Sequence, residues 1–222
     1  MGTRNLTMVV SNNQTKVAQY GQWDGYPEGQ GATALNLMIK IVSEGKLSEF
    51  KEKVDNLRWL TDDEIDVINT SGDPFNNHPY LSRNWGAQII EAVMYGTLTK
   101  EKGFMQPEDL VMDVNIVGLV NQESFAKNSL FCEWGYVIDL DKKTFEVYEG
   151  SNNECLTEDQ RFNYLDIKNP ELIEERDLYE KDGEKEWYHP IKMVVSYPLE
   201  SLPTLPEFLN FFNEDEDGSD DN

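Results

Sequence analysis

Histidine and cysteine are scarce in this chain: His78 and His189, Cys132 and Cys155 are all there is in 222 residues. Each histidine precedes a proline, and neither has cysteine or carboxylate at zinc-ligand spacing, so no metal and no cofactor are expected. Two distant cysteines make no disulfide framework, and in a reducing compartment both read as free thiols. No Gly-x4-Gly-Lys-Ser/Thr segment is present to cradle phosphates. Gly25, Gly29 and Gly31 do not form Gly-x-Gly-x-x-Gly, and they follow an antiparallel return strand rather than opening a βαβ unit. A Ser-His-Asp triad stays open, since its members need not be adjacent in sequence, but no Gly-x-Ser-x-Gly elbow supports one.

Basic residues are also few. Lys and Arg number 19 against 42 Asp and Glu, a net charge of −23. Binding nucleic acid directly through its phosphates needs clustered cations and is disfavoured, and an anionic membrane surface would repel the chain. Basic proteins, cations and proteins that themselves bind nucleic acid remain as partners, and solubility alone accounts for the charge equally well. No apolar run approaches ~18 residues and no basic-then-apolar start resembles a secretion signal, so a cytoplasmic protein without a membrane partner is expected. The opening MGTRNL falls short of a myristoylation signal because Leu6 stands where Ser or Thr is required.

What is present suffices for a core: 39% of residues are apolar and 11% aromatic. Thr3 to Val10 reads as a strand, residues 11–14 as its turn and Thr15 to Gln22 as the return. Ala32 to Ser43 is helical, with Leu35, Met38, Ile39 and Val42 at helical spacing. A second amphipathic segment covers Leu47 to Leu57. A third starts at a Thr61–Glu64 capping box, with Ile65 and Ile68 turned inward. A fourth runs from Leu81 to Tyr95. Strands follow at Asp113 to Val120, at the hairpin Trp134 to Leu140 with Thr144 to Tyr148, and at Ile191 to Tyr197. The acidic run from Glu171 to Glu186 reads as a helix or a mobile excursion, and Leu202 to Phe212 as a closing helix. These elements predict an α+β fold over residues 1–213: an N-terminal β-hairpin, a helical middle and C-terminal antiparallel strands. Residues 214–222 form an acidic tail expected to be disordered. The tail mimics a calcium loop, but the chain ends before the twelfth loop position, where the bidentate Glu should sit.

The stretch YGQWDGYPEGQG, Tyr20 to Gly31, holds four glycines and three large aromatics in twelve residues. It reads as a pocket wall or rigid contact surface in which Tyr20, Gln22, Trp23, Asp24 and Tyr26, joined by Arg4 from the first strand, bind a ligand or partner. It also reads as a tight strand-to-helix junction with the aromatics in the core. Arg4 is placed to pair with Asp24 across the hairpin, as part of a site or as an ordinary salt bridge. Asp62, Asp63 and Glu64 are helix-start charges. Asp139 and Asp141 flank a hairpin turn rather than bind metal.

MGTRNLT followed by YGQWDGYPEGQG resembles an uncharacterised group of bacterial and bacteriophage proteins that open MGTR-x-L and carry DGYP-x-G-x-G. The stretch Glu133 to Leu140, with its return strand Thr144 to Tyr148, resembles the same group. That resemblance implies a phage or prophage context and no established activity. The first 27 or so residues are also similar to the opening of N-terminal-nucleophile amide hydrolases of the bile-salt-hydrolase type, which implies a sandwich fold of that kind. There the residue after the initiator Met is a cysteine nucleophile, and an aspartate matching Asp24 holds the terminus. Gly2 occupies the nucleophile position and has no side chain; Thr3 would serve only if Gly2 were also removed.

Two functional expectations result. One is a phage-type accessory protein, noncatalytic, whose acidic surface binds and inhibits a basic host protein, a defence or nucleic-acid-binding component. The other is an atypical amide hydrolase or polar-ligand binder using the hairpin pocket, with Thr3, Arg4 and Asp24 as its catalytic candidates.

Overall fold

A computed structural model describes residues 2–70, 83, 85–100, 110–114, 116, 118–174, 178–181 and 183–213. His78 and the acidic tail lie outside them. Two strands open the chain, β1 (Asn5–Ser11) and β2 (Gln14–Gly21). Their turn is built by Asn12 and Asn13, both at positive φ, as a two-residue hairpin turn requires. A π-helical turn, Pro27–Gly31, leads into α1 (Ala32–Ser43), followed by α2 (Leu47–Asp55) and the short β3 (Arg58–Trp59). The expected capping box starts α3 (Asp62–Thr70): the Thr61 amide donates to Glu64, and the Glu64 amide donates back to the Thr61 hydroxyl. Arg58 first, and then that amide, hold the Glu64 carboxyl down at about 2.

Next come α4 (Gln88–Tyr95), ended by Gly96 in the left-handed region, then β4 (Thr97–Lys100), β5 (Leu110–Asp113) and β6 (Gly118–Leu119). The strand expected at Asp113 to Val120 is thus two short ones, which pair with different partners, β4 and β3. The first seven residues of the fourth expected helix, 81–87, contribute no helix among the described residues. The second hairpin is β7 (Trp134–Asp139) and β8 (Thr144–Glu149). Among its described residues the acidic run forms no helix beyond a short 3-10 turn at Pro170–Leu172; Leu178–Lys181 (β9) and Glu184–Trp187 (β10) make a hairpin. Gly183 at positive φ allows the turn, and Lys181 faces Glu184 while Glu180 faces Lys185, so opposite charges offset across the strands. The chain continues with β11 (Lys192–Pro198) and α5 (Leu205–Asn213).

The fold is α+β. Its centre is a five-stranded sheet in the order β11–β8–β7–β1–β2, in which β1 and β7 run parallel and the other pairs antiparallel. Alternation along the strands gives the sheet two apolar faces. Val9, Tyr136, Ile138, Phe145 and Val147 pack beneath α1, α2, α4 and α5. Leu6, Met8, Val10, Val137 and Tyr148 point the other way. That second face is covered, among the described residues, by short 3-10 turns and the loop after β8 rather than by the second large sheet of an N-terminal-nucleophile sandwich.

The glycine-rich stretch is a junction of backbones. The Gly25 amide donates to the Thr3 carbonyl at 2.9 Å, the buried Tyr136 hydroxyl donates to the Gly25 carbonyl at 2.7 Å, and the Gln30 amide donates to the Asp24 carbonyl at 2.7 Å. A Cβ at Gly29 would collide with the Asp24 carbonyl, and one at Gly31 with the Tyr136 ring. Gly29→Ala is therefore expected to cost on the order of 1–3 kcal/mol through forced backbone shifts, checked by urea denaturation. A wild-type midpoint would remove the close approach as the reason for this glycine.

Candidate functional site

Because β7 and β8 bury one face under helices, their other face needs a cover, and the loop from Gly150 to Asp166 supplies it. Phe162 is fully buried and meets the Tyr148 ring edge-on at 5.0 Å. Arg161 reaches into the sheet: Nη2 lies 2.6 Å from Asp139 Oδ2, Nε donates to Glu146 at 2.9 Å, and Nε also donates to the Tyr148 hydroxyl. Asp139 and Glu146 are both almost completely buried. Asp139 also accepts the amides of Asp141 and Lys142, so it closes the β7–β8 turn as expected. Asp141 accepts the amides of Asn12 and Asn13 and ties the two hairpin turns together.

The start of this loop is fixed by Asn152. Its Nδ2 donates to the carbonyls of Glu154 and Pro190, its carbonyl accepts the His189 amide at 2.8 Å, and its own amide donates to Ser129 Oγ. Pro190 restricts His189 to extended backbone, which suits this strand-like pairing. One side chain thus sets the residues around 155 against the residues around 189.

The result is a chain of three chemistry-bearing side chains. Cys155 Sγ lies 3.8 Å from His189 Nε2, and His189 Nδ1 lies 2.7 Å from Asp166 Oδ1. Cys155 is exposed, the imidazole is 7% exposed and the Asp166 carboxylate is fully buried. Asp166 Oδ2 is taken by the Leu156 amide at 2.8 Å, so the carboxylate orients the imidazole and anchors the residue after the cysteine. With Nδ1–H committed to Asp166, Nε2 is left to accept a proton from the thiol. Cys132, by contrast, is buried, and burial first of all pushes its thiol far above the usual range.

Cys155, Asp166 and His189 also offer three ligand atoms within 4.8 Å of one another. The donor set suits a zinc-like ion. Both Asp166 oxygens are already engaged, however, so Cys155 and His189 alone would hold the ion directly, with Asp166 behind the imidazole. The sequence offers no ligand spacing around His189, and the fold supplies a cysteine and a carboxylate from a distance. Cys155 and His189 are 34 positions apart, and Asp166 is 23 from His189, so no short spacing carried the signal.

A groove of about 690 Å³ adjoins the relay, which does not itself line it: none of Cys155, Asp166 and His189 is in its wall. Ile167 and Tyr188, direct neighbours of Asp166 and His189, line it, and the Trp187 ring lies 5.3 Å from the His189 ring. Arg4 and Tyr20, two of the six residues expected to bind a ligand, are in its wall. Gln22, Trp23, Asp24 and Tyr26 are not. The Gln22 amide donates to the Arg83 carbonyl, and Asp24 holds positive φ while accepting the Tyr26 hydroxyl at 3.3 Å. Trp23 and Tyr26 are 48% and 40% exposed, which overturns their reading as core residues. Arg4 pairs with Glu133 at 3.1 Å rather than with Asp24, because the parallel β1–β7 pairing brings Glu133 beside it. Thr3 gives its carbonyl to Gly25, and Gly2 is packed against the Trp23 ring so closely that a Cβ there would collide with it. Thr3 and Arg4 thus lie beside Gly25, next to Asp24, through backbone atoms, while the Arg4 side chain is directed to Glu133.

No protein-family model matches the chain, and no curated protein and no solved structure matches it significantly. Among the described residues, no helix is long and apolar enough to cross a membrane.

Proposed function

We propose that the protein is a cysteine-dependent acyl-transfer enzyme, hydrolysing or transferring the acyl group of an amide, ester or thioester. The observation that carries this reading is the relay Cys155 Sγ–His189 Nε2–His189 Nδ1–Asp166 Oδ1, with an accessible sulfur and a buried, oriented base. Cys155 gives its proton to Nε2 as the sulfur attacks the carbonyl carbon. The tetrahedral intermediate collapses, and the leaving amine, alcohol or thiol takes that proton. Water, deprotonated by the same nitrogen, then attacks the thioester, and the acid leaves as the thiol re-forms. Asp166 accepts Nδ1–H throughout and steadies the imidazolium.

Alkylation tests the relay before any substrate is known. Iodoacetamide at neutral pH is expected to give one adduct, mapped to Cys155, and His189→Gln to slow it about tenfold or more. Labelling of Cys132 first, or equal rates in wild type and His189→Gln, would overturn the reading.

A phage-type inhibitor of a basic host protein is the rival. Its support is the net charge of −23. On that reading Cys155→Ala captures a host partner as well as wild type does, and high salt releases it.

A further inference from the structure

The thiol chemistry leaves the acyl compound itself undefined, and the groove beside His189 narrows it. Its walls are aromatic: Tyr20 meets Phe125 edge-on at 4.7 Å, and Phe131 and Trp187 add two more rings. Such walls bury a flat apolar body.

Arg4 is the polar group with capacity to spare. Its Nε and its backbone amide both donate to Glu133 Oε1, and its guanidinium stands 5.0 Å from the Phe131 ring centre. The side chain is 20% exposed. These contacts hold the guanidinium without using Nη1 or Nη2, which have no hydrogen-bond partner among the described residues. A planar fork fixed in this way presents paired N–H donors to a carboxylate. Lys127 adds a second cation on an exposed residue, and Glu174 is a carboxylate among the described lining residues.

We propose that the groove binds a compact aromatic molecule carrying a free carboxylate and a scissile acyl bond, the chemistry of an N-acyl aromatic amino acid. The ring lies against Tyr20 and Phe125, the carboxylate sits on Arg4, and the acyl group runs along Trp187, whose ring adjoins that of His189. The proposal rests on the thiol reading for its reaction, but not for its binding.

Calorimetry on Cys155→Ala, which cannot turn the compound over, tests the binding. N-acetylphenylalanine is expected to bind about tenfold or more tighter than its neutral carboxamide. Arg4→Gln should bring the acid down to the affinity of the carboxamide, and Tyr20→Leu should weaken both alike. Because Arg4→Gln strips Glu133 of its partner, its melting curve is compared with wild type, and Lys127→Gln provides a variant on the surface, expected to weaken the acid alone by about threefold. Equal affinities for acid and carboxamide, no binding of either at about millimolar concentration, or a preference that survives in folded Arg4→Gln would overturn the proposal. A carboxylate preference without Cys155-dependent turnover would sink the reaction and keep the groove. Turnover of simple esters without that preference would do the reverse.

Discussion

Cys155→Ala is expected to lower kcat/KM on an activated ester or thioester by about 10³-fold or more while leaving the melting temperature near that of wild type. The two halves of this result have separate causes. The sulfur is the attacking atom, so its loss removes the covalent route. The side chain is exposed, so its truncation opens no cavity. Asp166→Asn provides the companion measurement. An amide at that position can donate to Nδ1 and so favour the tautomer that presents N–H to the sulfur, and a loss of about 10³–10⁴ in kcat is expected. The variant also weakens the tie to the Leu156 amide, so the split between kcat and KM matters. A fall in kcat with KM unchanged marks the relay, whereas a parallel loss of fold marks only the anchor. Residual turnover within tenfold of wild type in Cys155→Ala would end the acyl-enzyme reading.

Arg161→Met is expected to cost about 3–5 kcal/mol, because it leaves the buried carboxylates of Asp139 and Glu146 without their cation. The pH dependence gives the sign. Burial pushes the Asp139 carboxyl up, but the Lys142 amide, Arg161 and the Asp141 amide together hold it below the usual range. A carboxyl depressed in the folded state contributes stability that is present above the unfolded value, about 3.9, and lost as pH falls through the folded one. Wild type should therefore weaken on strong acidification. In Arg161→Met the burial of Asp139 remains and the cation is gone, so the deficit should shrink between neutral pH and about pH 5 as that carboxylate takes up a proton. Urea midpoints at the two pH values measure this. A deficit independent of pH would mean that Arg161 acts through packing alone. Arg161→Met/Asp139→Asn/Glu146→Gln should recover part of the stability, since no charge is then left buried and unpaired. Because Arg161 pins the loop that carries Cys155, slower alkylation of Cys155 in Arg161→Met is expected alongside.

Much of the fold was legible along the chain. The Asn12–Asn13 turn, the apolar spacing of α1 and the Thr61–Glu64 box are each decided within a few residues, where local geometry dominates. The closing helix obeys the same logic, with Thr204 and Glu207 capping each other. The acidic hairpin was missed because composition suggested solvation, while pairing of Glu180 with Lys185 is visible only once the register is known. The glycine-rich stretch stood out correctly as special but not for its chemistry: its glycines serve backbone contacts with Thr3, Asp24 and Tyr136.

By itself, then, the sequence determined the α+β class, the β1–β2 and β7–β8 hairpins, the Thr61–Glu64 helix start and the scarcity of histidine and cysteine, all properties of neighbouring residues or of counting. Tertiary structure alone decided that Arg4 meets Glu133 through the parallel β1–β7 pairing, and that Asn152 brings Cys155 to His189 and Asp166. The physical reason is separation along the chain: a relay assembled across 34 residues depends on a loop that exists to cover the second face of a sheet, and no local periodicity encodes where that loop comes to rest.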